Sequence, residues 1–487
     1  MLLPPPVPGA VALERLLVDP SASAHTRNLT AANAARGAAR SALKQTRKQP
    51  AQHTADWTGS ARALQEYLAH LVAILACVDA DDLVLATDPV FFEWRGSLSS
   101  SPLRKGRQRV ALPSLHAELT GTLLAYALCL ANQASSLVAS LGSYEISNSV
   151  SSAAIAAHDE TINSAAETLC RASGVLMFLA ETVVPRWEAA VGTEALRSRP
   201  VEMTRQVTTA LAKMCLADAN LLAIRRLLSR SLSVAHSTTT PGPPLPPGHP
   251  SPSLLAKLHL HVHTLYDEAR TLVKTVSAAT GTGSSATAAG EIVLPLRRYL
   301  SDGRTLALAL AYKWLGVDAG ERAATGDALG LLGLAAEELD ALGEKDRGFR
   351  KLKGFGKGRE AGKGRKGKVQ EERDSTEAFR SAYQKVNDTV HFQPVTPAQT
   401  LQARLPTGRA ALSPKPFSLP PAAFRPTHLP AGARPPPPPG RPIPPVYASA
   451  GDGKGAAAVV VAGEDSSDED DAGAAQEGEY FGAGQYF

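Results

Sequence analysis

The chain has 487 residues, of which 44% are hydrophobic and 5% aromatic, with 51 Lys and Arg against 46 Asp and Glu. Ala and Leu dominate the apolar residues, which favours helices because strands select β-branched and aromatic side chains. The four cysteines lie far apart without a CxxC pair, which argues against a disulfide scaffold and a cysteine-based zinc site. The N-terminus lacks a basic leader and no window approaches 18 uninterrupted apolar residues, so we expect a soluble, intracellular protein without a membrane span.

Charge is distributed unevenly along the chain. The segment 345–373 carries twelve Lys and Arg against four Asp and Glu, and the segment 464–471 reads EDSSDEDD. The remainder is close to neutral. The net charge of +5 therefore reflects one basic segment rather than a basic body.

Apolar residues recur at helical spacing along most of the first 345 residues. No sustained period-two alternation is evident, so the pattern predicts a mainly all-α protein in which six or seven helices stack as a curved solenoid. In chain order, the first predicted helix begins near Ser60 and the second follows Pro113. The third spans 152–184 and ends at Pro185, and the fourth spans 204–234. Beyond a Pro/Gly loop at 238–252, they span 255–276, 294–315 and 322–342, the last ending at Gly343.

The remaining sequence is interpreted as largely unfolded. The Gly/Lys segment 345–373 is predicted to be a disordered insertion, followed by a short helix at 374–386. Residues 413–487 are Pro-rich and then acidic, so we expect a disordered tail. The predicted domain therefore spans 1–412.

No catalytic motif was found: the sequence lacks a GxSxG elbow, a Walker loop, an HExxH pair and a kinase triplet. His259, His261 and His263 could hold a metal in a strand, but only His259 and His263 share a face in the predicted helix. Asp218, within an apolar helix, either pairs with a neighbouring helix or faces a groove. We expect no catalytic residue, metal or cofactor, and hence a protein that is not an enzyme.

The tail carries short recognition patterns. Pro444, Pro445 and Tyr447 form a PPxY sequence, the pattern that WW domains bind, and 436–441 fits the SH3 pattern PxxPxR. A plain spacer is the alternative. Ser466 and Ser467 precede acidic residues, which suits an acid-directed kinase, or belong to a solubilising tail.

The basic segment allows several interpretations. Its cations could contact an anionic membrane, an acidic partner or nucleic acid, serve in nuclear import, or form a solvated linker. Nucleic acid is disfavoured because few aromatic residues accompany the charges. The residues concerned are Lys351, Lys353, Lys357, Lys363, Arg365, Lys366 and Lys368.

Several ordered segments over residues 60–410 resemble the fungal pH-response members of the Bro-domain (ALIX-like) family. The LADAN stretch at 216–220 is similar to the LAxAQ stretch that Bro domains carry on a central helix. The other segments are FEWR at 92–95, LPSLHAEL at 112–119, ANQA at 131–134, YE at 144–145, NDTVHFQPV at 387–395 and PTGR at 406–409.

The resemblance implies a curved Bro-type domain with a tetratricopeptide-like core, with room for a small β-sheet. It also implies a non-enzymatic adaptor in alkaline-pH signalling that docks on the core subunit of ESCRT-III and leads to proteolytic activation of a transcription factor. Such an adaptor would be cytoplasmic and recruited to cortical or endosomal sites. The implied groove falls on Leu211, Met214 and Leu221, for which core packing is the alternative. Other hypotheses are a helical scaffold recruiting a WW-domain ubiquitin ligase through the tail, and a nucleic-acid-associated protein.

Overall fold

Long apolar stripes along the sequence become packed helices in the computed structural model of this protein. It describes residues 2–21, 24–48, 55–100, 109–142, 152–237, 242–246, 248–279, 291–352 and 359–427, which lie in one compact unit. The helices are α1 (Thr26–Lys48), α2 (Trp57–Asp79), α3 (Leu115–Leu141), α4 (Ser152–Phe178), α5 (Val184–Val191), α6 (Arg205–Ser237), α7 (Pro252–Ala279), α8 (Leu294–Glu321), α9 (Thr325–Leu352), α10 (Arg359–Val386) and α11 (Ala398–Ala403).

The long helices stack in chain order. Helix α1 packs on α2, α2 on α3, and the series continues through α4, α6, α7, α8, α9 and α10. Each helix buries its apolar stripe against the next, and at roughly 1.5–3 kcal/mol per buried Leu this burial is the main favourable term. The predicted mainly helical stack is confirmed.

Helix α1 was not predicted, because alanine forms most of its buried stripe. Ala32, Ala35 and Ala39 lie on its buried side together with Leu29 and Leu43. Alanine on a buried helix face cannot be told from alanine on an exposed one by composition. The sequence signal was therefore weak even though the helix is well packed.

Two predicted helix ends were wrong. Pro185 does not end the preceding helix, because residues 179–183 form a π-helical turn and Pro185 lies in the first turn of α5. The first turn of a helix tolerates proline, since its backbone nitrogens lack a partner within the helix. Gly343 does not end α9, which continues to Leu352.

The basic segment is largely helical, which corrects the prediction of a disordered insertion at 345–373. Helix α9 covers its start and α10 begins at Arg359, well before the predicted 374. Lys, Arg and Glu favour helices, and α10 packs along α9 beyond this segment. Residues 353–358 lie outside the described residues.

A small antiparallel sheet lies against α3, as the family resemblance allowed. Strand β4 (Phe91–Arg95) is central, flanked by β1 (Val7–Pro8) and β6 (Arg109–Pro113). Its side chains alternate between exposed and buried, a pattern too short to stand out in the sequence. Short two-stranded pairs are formed by β2 (Leu17–Val18) with β3 (Val84–Leu85), and by β5 (Ser99–Ser100) with β7 (Glu291–Ile292).

A buried carboxylate joins the sheet to the first three helices. Glu118 of α3 accepts hydrogen bonds from the Arg36 Nε at 2.8 Å, the Tyr67 hydroxyl at 2.9 Å and the Trp94 indole at 2.8 Å. The Trp94 ring lies against Gly121, where a Cβ atom would meet the indole at 2.3 Å. A buried charge is tolerated only when it is paired and fully hydrogen-bonded, and Glu118 meets that condition.

The domain extends beyond the predicted boundary at 412. Residues 405–427, which we call the strap, run across the helices without regular secondary structure. The strap bonds to Lys257 of α7, Asn220 of α6, Cys170 of α4 and Ala69 of α2. Pro-rich composition suggested disorder, but proline is tolerated outside helices, and here the neighbouring helices supply hydrogen-bond partners for the other backbone groups.

Four helical stretches in the described residues have the length and composition of membrane spans: 57–79, 115–141, 153–191 and 205–229. Between 44% and 67% of the residues in their most apolar windows are buried inside the protein. By length and composition alone, these helices could cross a membrane, contrary to what the sequence analysis expected. Packing between helices accounts for the apolar residues in this fold.

His259 of α7 is a core histidine, 3% exposed, with an unpartnered Nδ1 atom. Burial lowers its pKa to about 4, with Glu372 raising the value and Lys313 lowering it further. These two residues form an ion pair of 2.7 Å. The neutral imidazole is therefore the form that suits this site.

We predict that acid destabilises the domain through His259. The unfolded-state pKa is about 6.5, so stability is complete above that pH and is lost as the pH falls towards 4. Between about pH 7.5 and pH 5, the unfavourable protonation of His259 alone should lower the free energy of unfolding by about 2 kcal/mol. Urea unfolding at both pH values should show a smaller loss for His259→Leu than for the wild type. An equal loss in both proteins would contradict the prediction.

We predict that the strap packs too closely at Gly174 to accept a side chain. An added Cβ would lie 1.7 Å from the Lys415 carbonyl oxygen. Gly174→Ala should therefore lower the free energy of unfolding by about 1–3 kcal/mol. The matched control is Gly333→Ala in α9, where nothing lies within 4 Å. The free energy of unfolding of the control should rise by about 0.5–1 kcal/mol, because alanine is a better helix former than glycine. Urea denaturation measures both, and a stabilising effect at Gly174 would contradict the contact.

Candidate functional site

Helix α6 lies in the middle of the stack and presents two different faces. Asn220 lies on the strap side, where its Oδ1 atom accepts from the backbone of Ala411 at 2.9 Å and of Leu412 at 3.0 Å. Asp218 points away from this side, since two residues correspond to about 200° around a helix. The strap therefore covers one face of α6 and leaves the Asp218 side to other groups.

Asp218 is held by two tyrosines of the neighbouring helices. The Tyr266 hydroxyl of α7 and the Tyr299 hydroxyl of α8 both donate to its Oδ1 atom, the second at 2.8 Å. Burial raises the pKa of the Asp218 carboxyl, although the hydrogen bonds from the two tyrosines act in the opposite direction. The prediction that Asp218 pairs with a neighbouring helix is consistent with this geometry.

Leu222 and Arg225 continue this face, four and seven residues after Asp218. Leu222 is half-buried, and the Arg225 guanidinium donates to the Gly142 carbonyl at the end of α3 at 2.6 Å. One turn further, Ser229 donates to Asp159 of α4 at 3.2 Å. We call Asp218, Leu222 and Arg225, with Tyr299, the inner face of α6. It combines a partly accessible leucine with a fixed carboxylate and a fixed guanidinium.

The three predicted groove residues are not equivalent. Leu211 and Met214 are each 2% exposed, so they belong to the core and cannot line an open groove in this structure. Leu221 is half-buried and packs against the core. The physical reason is that α6 contacts both α4 and α7, which buries most of its circumference. Leu222, adjacent in sequence, is likewise half-buried beside the core, and sequence reasoning did not name it.

The histidines of α7 do not converge. His259 is buried, the His263 Nδ1 lies 3.1 Å from the Arg304 carbonyl oxygen, and the backbone of His261 lies against Gly408 of the strap. The surroundings of the three residues are therefore separate, and His259 is a core residue rather than a surface or groove histidine.

A second apolar surface lies where α10 ends. Val390, Phe392 and Val395 are 65%, 73% and 56% exposed. Their backbone is fixed from inside, because the Asn387 side chain bonds to the Thr325 hydroxyl and to both backbone groups of Gln393.

The tail predictions concern residues outside those the structure describes. These are 436–441, Pro444, Pro445, Tyr447, Ser466 and Ser467, and the WW, SH3 and phosphorylation interpretations stay predictions. Lys353 and Lys357 also lie outside. Lys351, Lys363, Arg365, Lys366 and Lys368 lie within α9 and α10, but their side chains are not described, so membrane or acidic-partner contact stays a prediction as well.

Two solved structures containing ALIX resemble this fold. A complex of the ALIX BRO1 domain with CHMP4C has a TM-score of 0.56 at 15% identity, covering 87% of this chain and 97% of that chain. ALIX bound to the SIVmac239 PYKEVTEDL late domain gives the same TM-score and identity, and this chain spans 50% of its length. A structure of the Bro1 domain described for endosomal targeting has a TM-score of 0.53 at 13% identity, covering 85% of this chain and 92% of that chain. At such identities these likenesses show the fold.

Sequence comparison identifies the family. The pH-response regulator protein palC of Cryptococcus neoformans var. neoformans serotype D (strain B-3501A) is 37% identical over 407 residues, covering 75% of this chain and 81% of that protein. The model of the BRO1-like domain matches residues 25–424, which takes in helices α1 to α11 and most of the strap. The resemblance seen in the sequence is thereby confirmed, and this chain belongs to the BRO1-like domain family.

Proposed function

We propose that this protein is a non-enzymatic adaptor in ambient-pH signalling that docks on the core subunit of ESCRT-III through its BRO1-like domain. The observation that carries the proposal is the 37% identity to a pH-response regulator over 407 residues. The complex of the ALIX BRO1 domain with CHMP4C supports an ESCRT-III subunit as the partner. The assembled complex would lead to proteolytic activation of a transcription factor.

The inner face of α6 suits a helical partner. Leu222 offers apolar area, and Arg225 and Asp218 are held by hydrogen bonds before any partner arrives. An amphipathic helix binds such a surface with apolar residues at i, i+3 or i+4 and i+7, and fixed polar groups set its register. Preorganised side chains lose little entropy on binding, which favours affinity.

We predict that Leu222→Asp weakens docking strongly while the domain stays folded. A half-buried leucine in an interface contributes through buried apolar area, so a charge there should weaken binding by about ten-fold or more. Fluorescence anisotropy with a labelled C-terminal helix of the ESCRT-III core subunit measures the affinity. Leu294→Asp is the matched control, because Leu294 is 43% exposed at the start of α8 and is not one of the inner-face residues.

The control should bind like the wild type, and circular dichroism should show both variants folded. Absence of binding by the wild type, or equal loss in the two variants, would count against the proposal. Leu211→Asp is unsuitable as a test, because Leu211 is a core residue and its substitution would report on folding.

We further propose that the adaptor is cytoplasmic and gathers at cortical or endosomal sites when the surroundings become alkaline. A fluorescently tagged full-length protein should form membrane-associated spots after an acid-to-alkaline shift. The Leu222→Asp variant should stay diffuse if ESCRT-III recruits the protein. Nuclear accumulation of the wild type would instead favour the nucleic-acid hypothesis.

A further inference from the structure

A histidine, a cysteine and an aspartate meet beside the end of the strap. His25 precedes α1, Cys77 lies in the last turns of α2, and Asp82 follows α2. Their possible ligand atoms all lie within 4.8 Å of one another. His25 and Cys77 are 1% and 0% exposed, and the Asp82 side chain is 7% exposed. Three metal-ligating side chains are therefore gathered in a nearly dry site outside the inner face of α6.

The spacing of two of these atoms matches the edge of a coordination tetrahedron. The His25 Nε2 lies 3.4 Å from the Asp82 Oδ2. Typical N–H···O hydrogen bonds measure about 2.7–3.2 Å, so this contact is long. Zinc bonds of about 2.0–2.1 Å to nitrogen and oxygen place two ligands of a tetrahedron about 3.3–3.4 Å apart. The two atoms are thus already as far apart as a shared zinc ion requires.

Neighbouring groups orient the ligands. The backbone amide of Thr427 donates to the Asp82 Oδ2, and the Thr427 hydroxyl donates to the same atom at 3.0 Å. Zinc binding through Nε2 leaves the imidazole proton on the His25 Nδ1, so the Asn28 amide, whose Nδ2 lies 3.5 Å away, must turn its oxygen to accept it. Metal sites need such outer contacts, because they fix the direction of each ligand atom.

We propose that His25 Nε2, Cys77 Sγ and a carboxylate oxygen of Asp82 bind one zinc ion. One nitrogen, one sulfur and one oxygen ligand suit zinc rather than magnesium or calcium, which select oxygen ligands. A water molecule would occupy the fourth position. The sequence argument against zinc considered only cysteine pairs, and these ligands come from three separate places, with His25 and Asp82 57 positions apart.

Binding requires the cysteine to lose its proton. The Cys77 thiol gives up its S–H proton to solvent as the sulfur–zinc bond forms, and no electron is transferred. Burial raises the pKa of this thiol to about 11. Zinc must therefore displace a proton that the site otherwise retains, and affinity should fall as the pH is lowered.

The ion would fasten three parts of the domain together. It would join the start of α1 to the end of α2, and through Asp82 it would hold Thr427 at the end of the strap. Binding to the folded protein alone stabilises that state by mass action. Zinc should thus raise the melting temperature of the full-length protein.

Cobalt substitution tests the site in the full-length protein. After chelation and dialysis, titration with Co²⁺ should give one equivalent bound, with tetrahedral visible bands and a thiolate-to-cobalt charge-transfer band. Zinc competition against a chelating dye gives the affinity. Cys77→Ala should remove the charge-transfer band and weaken zinc binding by about ten-fold or more. The control Cys170→Ala, at a cysteine that is also buried, should leave both unchanged.

If the competition with the chelating dye shows no specific zinc binding by the wild type, the proposal is overturned. Cobalt bound without a charge-transfer band would do the same, as would equal affinity in Cys77→Ala and its control. If Cys77→Ala does not fold, the wild-type cobalt spectrum and the zinc-dependent melting temperature still decide.

Discussion

The hydrogen bonds of Asn220 to the strap determine which faces of the domain stay open. Its side chain accepts from two consecutive backbone amides and donates to the Leu412 carbonyl oxygen at 3.3 Å, all in a buried position. Buried backbone groups outside regular secondary structure need such partners, so the strap can cross α6 only in this register. Gly174 of α4 then provides the close approach that the next residues of the strap require. The strap therefore covers one side of the stack.

On the opposite side of the stack, part of the helix surface packs against the small sheet and the N-terminal residues, and part of it is the inner face of α6. On α3, Glu118 anchors the small sheet, and Asn132 exchanges two hydrogen bonds with the backbone of Leu3. Tyr126 of the same helix instead faces Phe417 of the strap. The sheet and the N-terminal residues thus pack on the first helices, and under the proposed function the inner face of α6 is the surface that receives the partner. The position of a helix in the stack, more than its residue types, therefore decides whether its face packs against the sheet or serves the proposed partner.

Most helices could be predicted because their stripes combine leucine with regular spacing. The elements that escaped prediction lack that contrast: α1 buries alanine, and β4 alternates over only five residues. The strap depends on partners that lie far away in sequence, such as Asn220 for Leu412, 192 positions apart. Proline content cannot reveal those partners. Local pattern predicts local structure, and the order of the strap is a property of the tertiary fold.

The candidate groove illustrates why helical spacing alone does not locate a binding surface. Leu211, Met214 and Leu221 share a side of α6 with one another, and spacing describes a buried stripe and an exposed groove equally well. Leu222 is half-buried whereas Leu211 and Met214 are core residues, and this difference depends on how α4 and α7 pack around α6. The polar neighbours give the better signal. A lone aspartate in an apolar helix must be paired or accessible, and Asp218 satisfies this rule by accepting from Tyr266 and Tyr299 on α7 and α8. An unexpected charge in a buried pattern was therefore a more reliable guide to the inner face than the leucines around it.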